Sequence, residues 1–162
     1  MPPASISSNS AARPIISAAT AAAPAPWASY FPDERLKKLI QLRPDNAHAY
    51  NALGFSLADR NVRLQEAKEL IVKALSFAPE DPFITDSLGW VEFRLGNLTA
   101  ALLHLQKAYE LRADAEIAAH LGEVLWRLKR QDDARRIWQE GLKLAPDNET
   151  LKETLQRLQP KL

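Results

Sequence analysis

His120 and Glu123 lie three residues apart, a spacing that sets an imidazole and a carboxylate on one face of a helix. Both are zinc-ligand types, and His48 and Asp86 would enlarge the set if the fold carried them to the same place. No paired-histidine motif accompanies them, and the side chains come from three separate segments. A hydrogen-bonded polar wall is therefore the better expectation. His104 lies on a second helix and is expected to be exposed or partly packed. The chain has no Gly-rich phosphate loop, no Gly-x-Ser-x-Gly elbow and no Cys/His constellation. Cysteine is absent, which removes disulfides, thiol nucleophiles and cysteine-ligated metal. These residues point to a non-catalytic protein that needs no cofactor.

The elements that must position them are set by a repeat. Leu53-Gly54, Leu88-Gly89 and Leu121-Gly122 recur at intervals of 35 and 33 residues, bracketing the 34-residue period of a helix–turn–helix array. Each glycine sits in a helical stretch, where it costs about 1 kcal/mol relative to alanine. Three such costs at one phase imply a neighbouring helix pressed against the backbone. Ala67, Ala101 and Ala134 keep step, as do Ala74, Ala108 and Gly141, and Pro79, Ala113 and Pro146 close the units.

This pattern resembles the tetratricopeptide repeat (TPR) family. The family's signature reads Tyr50, Leu53-Gly54, Leu57, Ala67, Ala74 and Pro79 in the first unit. In the second it reads Thr85, Leu88-Gly89, Glu92, Ala101, Ala108 and Ala113. The third gives Ala118, Leu121-Gly122, Leu125, Ala134, Gly141 and Pro146. The departures are the missing early aromatics in units two and three, Glu92 where a large apolar residue is usual, and Ala113 for proline. The resemblance covers roughly residues 45–147. The runs Asn51–Asp59, Asp86–Trp90 and Glu116–Trp126 also look like the C-terminal repeats of longer proteobacterial TPR-containing proteins. Some of that group are exported, and some are lipoproteins acting as scaffolds.

The resemblance implies an all-α, right-handed α-solenoid of about three helix–turn–helix repeats with a concave groove. Period and punctuation place helices at about 33–43, 47–58, 64–78, 82–95, 97–112, 115–128, 131–144 and 148–159. The expected organisation is a partial repeat at 33–45, repeats at about 47–81, 82–114 and 115–147, and a capping helix at 148–159, all within a TPR domain over 33–160. In the capping helix Leu151, Leu155 and Leu158 share one stripe while Lys152, Glu153, Gln156 and Arg157 face away, as a terminal repeat requires. Asp33-Glu34 opens the first helix, acidic residues suiting a helix N-terminus. Leu36, Leu39, Ile40 and Leu42 form its apolar face.

Transferred position by position, the family's groove falls on His48, Asn51, Phe55 and Ala58 in the first repeat. The second supplies Phe83, Asp86, Trp90 and Phe93. The third supplies Glu116, Ala119, Glu123, Trp126 and Arg127, with His120 beside them. Aromatics give large contact area at low entropic cost, so Phe55, Trp90, Phe93 and Trp126 suit an extended or helical peptide. The opposing reading is that Trp90 and Phe93 pack between helices as core. One family subtype grips a partner's C-terminal carboxylate with a lysine and asparagine clamp. Here Asn51, Phe55, Ser87, Glu116 and His120 stand at those positions, so acidic and aromatic residues replace the basic clamp and that activity is not expected.

The first 32 residues are a different regime. Met1 to Pro26 is built from alanine, serine and proline, with Arg13 its only charged side chain, a composition expected to be disordered. Pro14–Ala23 with Ala23-Pro24-Ala25 faintly resembles a secretory leader, but the basic start is missing and a proline would follow the cut. A linker from a longer protein is the reading preferred. Trp27, Tyr30 and Phe31 are expected to cover the open end of the first repeat, the other reading being an apolar patch for another chain. With 21 Lys+Arg against 20 Asp+Glu the net charge is +1, leaving no basic surplus to drive nucleic-acid binding. No apolar run approaches the roughly 18 residues of a membrane span.

The function expected is a protein–protein interaction scaffold binding a peptide or helix of a partner in an aromatic-lined groove. The alternative is the structural end of a longer solenoid, or self-association into a homodimer. The chain would be cytoplasmic if complete, and periplasmic or membrane-tethered if part of an exported protein.

Overall fold

A computed structural model describes residues 33–162. Among the described residues the chain forms eight helices and no strands: α1 (Asp33–Leu42), α2 (Ala47–Asp59), α3 (Leu64–Phe77), α4 (Pro82–Arg94), α5 (Leu98–Leu111), α6 (Ala115–Arg127), α7 (Gln131–Leu144) and α8 (Glu149–Leu158). Each ends within one residue of the expected span. The segment 1–32, including Trp27, Tyr30 and Phe31, lies outside the described residues.

Local chemistry explains where the first helix of each repeat begins. Asn46 Oδ1 accepts from the Ala49 amide at 3.1 Å, and Asn148 Oδ1 from the Leu151 amide at 2.9 Å. Asp81 Oδ1 accepts from Phe83 and Ile84, with Pro82 in the first turn, and Asp114 Oδ1 accepts from Glu116 at 2.8 Å. Such side chains satisfy amides that would otherwise lack partners. The second helices α3, α5 and α7 have no side-chain cap. Their N-termini follow tight turns that contain left-handed residues, namely Asn61 (φ 58°), Gly96 (φ 87°) and Lys129 (φ 64°). Asparagine and glycine tolerate that region, whereas lysine is strained there. Lys129→Gly is therefore expected to raise stability by about 0.5–1 kcal/mol, measured as a higher urea midpoint with an unchanged slope.

Packing follows the small residues. Each repeat folds as an antiparallel pair (α2 with α3, α4 with α5, α6 with α7), and α2, α4, α6 and α8 stand side by side in one row. A Cβ on Gly54 would meet Ile71 Cγ1 at 2.7 Å and the Ala67 carbonyl oxygen at 2.8 Å. On Gly89 it would meet Leu105 Cγ at 2.5 Å, and on Gly122 it would fall inside the indole of Trp138. The three glycines thus admit a large side chain from the paired helix at one phase: Ile71, Leu105 and Trp138, all fully buried.

Glu92, the departure from the apolar pattern, is buried but fully engaged. Its carboxylate takes Lys68 Nζ of α3 at 2.5 Å and Asn97 Nδ2 at 2.7 Å. Burial alone would raise its pKa, but the Lys68 and Asn97 hydrogen bonds and the Lys68 charge outweigh that and leave it below the usual value. An ion pair between α3 and α4, with a hydrogen bond from the residue preceding α5, thus stands where the family ordinarily packs an apolar side chain. On α1 only Leu36 is buried, while Leu39 and Leu42 are 37% and 70% exposed. The stripe is broader than the face α2 covers, and among the described residues no other helix closes over it. No helix among the described residues is long and apolar enough to cross a membrane.

Candidate functional site

The row α2, α4, α6 and α8 presents side chains that meet their counterparts about one repeat later. His120 Nδ1 of α6 faces both carboxylate oxygens of Asp86 on α4, at 2.9 and 3.0 Å, and both residues are buried. Glu123 of α6 receives two parallel bonds from Arg157 of α8, at 2.8 and 2.6 Å, the bidentate geometry a guanidinium favours. Arg94 of α4 donates to the carbonyl oxygens of Ala58 and Asp59 at the C-terminal end of α2, at 3.1 and 2.6 Å. These bonds act across repeats and hold successive first helices in register.

An aromatic stack lies among them. Trp90 is stacked on His120 with centroids 4.3 Å apart and on Phe93 at 5.0 Å, and Phe55 is tilted against His120 at 6.0 Å. The Arg94 and Arg127 guanidiniums lie over Trp90 and Phe93 at 5.4 and 5.8 Å, within cation–π range. The imidazole is thus stacked on an indole and held at Nδ1 by a carboxylate. Burial would push its pKa down, but the charge and hydrogen bond of Asp86, with Glu116 and Asp59 nearby, raise it to about 9. His120 is an imidazolium at neutral pH.

The expected groove residues therefore divide in two. Phe55, Asp86, Trp90, Phe93, His120 and Glu123 are buried. Asn51 and Trp126 are half-buried, and His48 and Arg127 are exposed. Trp126 is tilted against Trp138 at 5.7 Å and lies under Arg135. Aromatic spacing could not separate these two groups, because burial there depends on the neighbouring repeat. The sequence gives no sign of Arg94 at the site, and Arg157, expected to face away from the stack, instead turns onto Glu123 because the carboxylate one repeat earlier needs a counter-charge. The repeat period does carry a signal for Arg157, which follows Glu123 by 34 residues in the capping helix.

Between α2, α4 and α6 lies a cavity of about 160 Å³ lined by Asn51, Phe55, Phe83, Asp86, Ser87 and Glu116. Phe83 is 39% exposed at its mouth, with the Arg112 guanidinium 5.5 Å from its ring centre. Glu116 has its pKa raised, chiefly by burial and further by Asp86, Asp114 and Asp59 against the opposing charge of His120. Of the candidate ligands Asp86 lines this cavity and His48 and His120 do not, and among the described residues no group of three or more His, Asp or Glu side chains is placed to hold a metal ion.

The three-dimensional arrangement matches solved structures at low sequence identity. A thermophilic TPR protein of Thermus thermophilus aligns over 78% of this chain and 71% of its own, with a TM-score of 0.68 and 22% identity. The fold is that of the tetratricopeptide repeat. MamA aligns over 78% of this chain and 77% of its own, with a TM-score of 0.58 and 20% identity. In sequence, a TPR repeat-containing protein of Pseudomonas aeruginosa is 50% identical over 91 residues, which is 56% of this chain and 15% of that protein. The mitochondrial import receptor subunit TOM70 of Rattus norvegicus is 33% identical over 89 residues, or 55% of this chain and 15% of its own length. The chain thus spans about 15% of the length of the curated relatives it matches. No protein-family model matches it. The TPR resemblance read from the glycine phase is carried by both kinds of relative.

Proposed function

We propose that this chain is a non-catalytic interaction scaffold whose row of first helices holds an extended segment of another protein. The observation that carries this reading is the cavity between α2, α4 and α6, where Phe83 stands exposed at a mouth backed by fixed polar groups. His48, Asn51, Phe83, Glu116, Trp126 and Arg127 form the contacting surface. The buried set of Phe55, Asp86, Trp90, Phe93, His120 and Glu123 forms the floor that sets its shape. Exposed aromatics beside charged groups combine contact area with orientation. A TPR repeat-containing protein and an import receptor subunit among the relatives are in keeping with a protein partner.

The test compares proteins captured from a bacterial extract by the full chain and by the same chain carrying Phe83→Ala and Arg127→Glu. Both substitutions lie at accessible positions, so helicity by circular dichroism should not change. A defined protein held by the parent should bind the variant at least tenfold more weakly, as expected for loss of an aromatic anchor. Undiminished capture would overturn the reading. The second reading, self-association, draws on the open face of α1, where Leu39 and Leu42 are exposed. Capture of nothing, with a mass that rises with concentration, would replace the first reading by the second.

A further inference from the structure

We infer that the cavity between α2, α4 and α6 receives a basic side chain, lysine or arginine, from the bound segment. This rests on the groove reading and names what the groove selects. At about 160 Å³ the cavity falls below the roughly 300–1,000 Å³ of small-molecule sites, so a single side chain is the fitting occupant.

Among its lining side chains acceptors outnumber donors, even counting the Asn51 amide nitrogen. Asn51 Oδ1 is buried and receives no hydrogen bond. Ser87 Oγ spends its proton on the Phe83 carbonyl oxygen at 2.9 Å, leaving lone pairs as its remaining capacity. Both Asp86 oxygens share the one Nδ1 of His120. The Glu116 carboxylate takes part in none of the hydrogen bonds or ion pairs found among the described residues, although its backbone amide is capped by Asp114. A buried acceptor without a donor, as Asn51 Oδ1 is, is unfavourable, and an ammonium or guanidinium would supply donors to several acceptors at once.

Electrostatics point the same way. The carboxylates of Asp86, Asp114 and Asp59 all oppose ionisation of Glu116, and only His120 favours it. A cation beside Glu116 relieves that repulsion, whereas an anion would add to it. The apolar wall suits the methylene stem of a basic residue, which packs on aromatic surface while its head stays polar. The Phe83 ring already carries one guanidinium, that of Arg112. The site thus has the opposite polarity to a clamp for a terminal carboxylate.

The test uses blocked pentapeptides, acetyl-Ala-Ala-Xaa-Ala-Ala-amide, with Xaa lysine, arginine, norleucine or glutamate, titrated by NMR into the full chain at low salt. The lysine or arginine peptide should bind at least tenfold more tightly than norleucine, and the glutamate peptide should show no saturable shifts. Glu116→Gln, which keeps shape and helicity, should remove that preference, and added salt should weaken what binding remains. Equal affinity for all four peptides, a preference that survives Glu116→Gln, or no saturable binding of either basic peptide would overturn the inference. Norleucine binding lost in Phe83→Ala but indifferent to Glu116→Gln would leave the groove standing and remove the cation.

Discussion

Gly122→Ala is expected to destabilise the protein by about 2 kcal/mol or more, although alanine is the better helix former by about 1 kcal/mol. The added methyl would occupy the indole of Trp138. Trp138 is fully buried, and its Nε1 donates to the Ala119 carbonyl oxygen at 3.3 Å. A rigid, fully buried ring tied at Nε1 cannot yield as a leucine can, so α6 and α7 must separate. A double-mutant cycle with Trp138→Leu tests the cause, because leucine is the residue that Leu105 supplies at this phase one repeat earlier. The double variant should be at least about 1 kcal/mol more stable than the sum of the single effects predicts, measured by urea unfolding followed at 222 nm. Additive costs would mean that the glycine is there for some other reason than the indole.

Raising the pH from about 6.5 to 9 should remove stability on the order of 3 kcal/mol through the Asp86–His120 pair. In the folded protein His120 is held at about 9 against an ordinary value of 6.5. A folded-state pKa raised above the unfolded one gives a contribution complete below the unfolded value. It is then lost as the pH rises through the folded value. Asp86→Asn should flatten this window, since the neutral amide no longer favours the imidazolium. Asp86→Ala should cost about 3 kcal/mol at pH 7, because it leaves a buried partner without its counter-charge. Urea midpoints measured at half-unit steps between pH 6 and 9.5 decide the matter. A parent profile that is flat across this window, or one identical to that of Asp86→Asn, would show that the pair carries no such linkage.

The two effects have different origins in the chain, and that difference marks what was legible beforehand. Gly122 announced itself in one dimension: Leu-Gly at three matching phases already required a close helix. The identity of the residue filling each gap was open until the paired helix was placed. Asp86 and His120 are legible in the sequence as members of one hydrogen-bonded polar wall, but not as each other's partners. Their mutual bond, and the stacking of Trp90 on His120, required the superhelical offset that brings residues 34 apart within reach.

What the sequence by itself determined is the periodic part: the helix spans and the small residues that seat one helix of a pair on the other. Those depend on interactions within a turn or between adjacent helices, so local spacing encodes them. The tertiary structure alone decided which aromatics are floor and which are surface. Phe93 and Trp126 occupy the same phase, yet Phe93 is buried and Trp126 half-buried. Phe55 and Trp90 are closed over by the repeat that follows, whereas Glu123 at their phase meets a single capping helix and takes Arg157. Burial in a solenoid is a property of neighbours, and a residue's neighbours one repeat away are set by the rise and turn of the stack rather than by its own side chain.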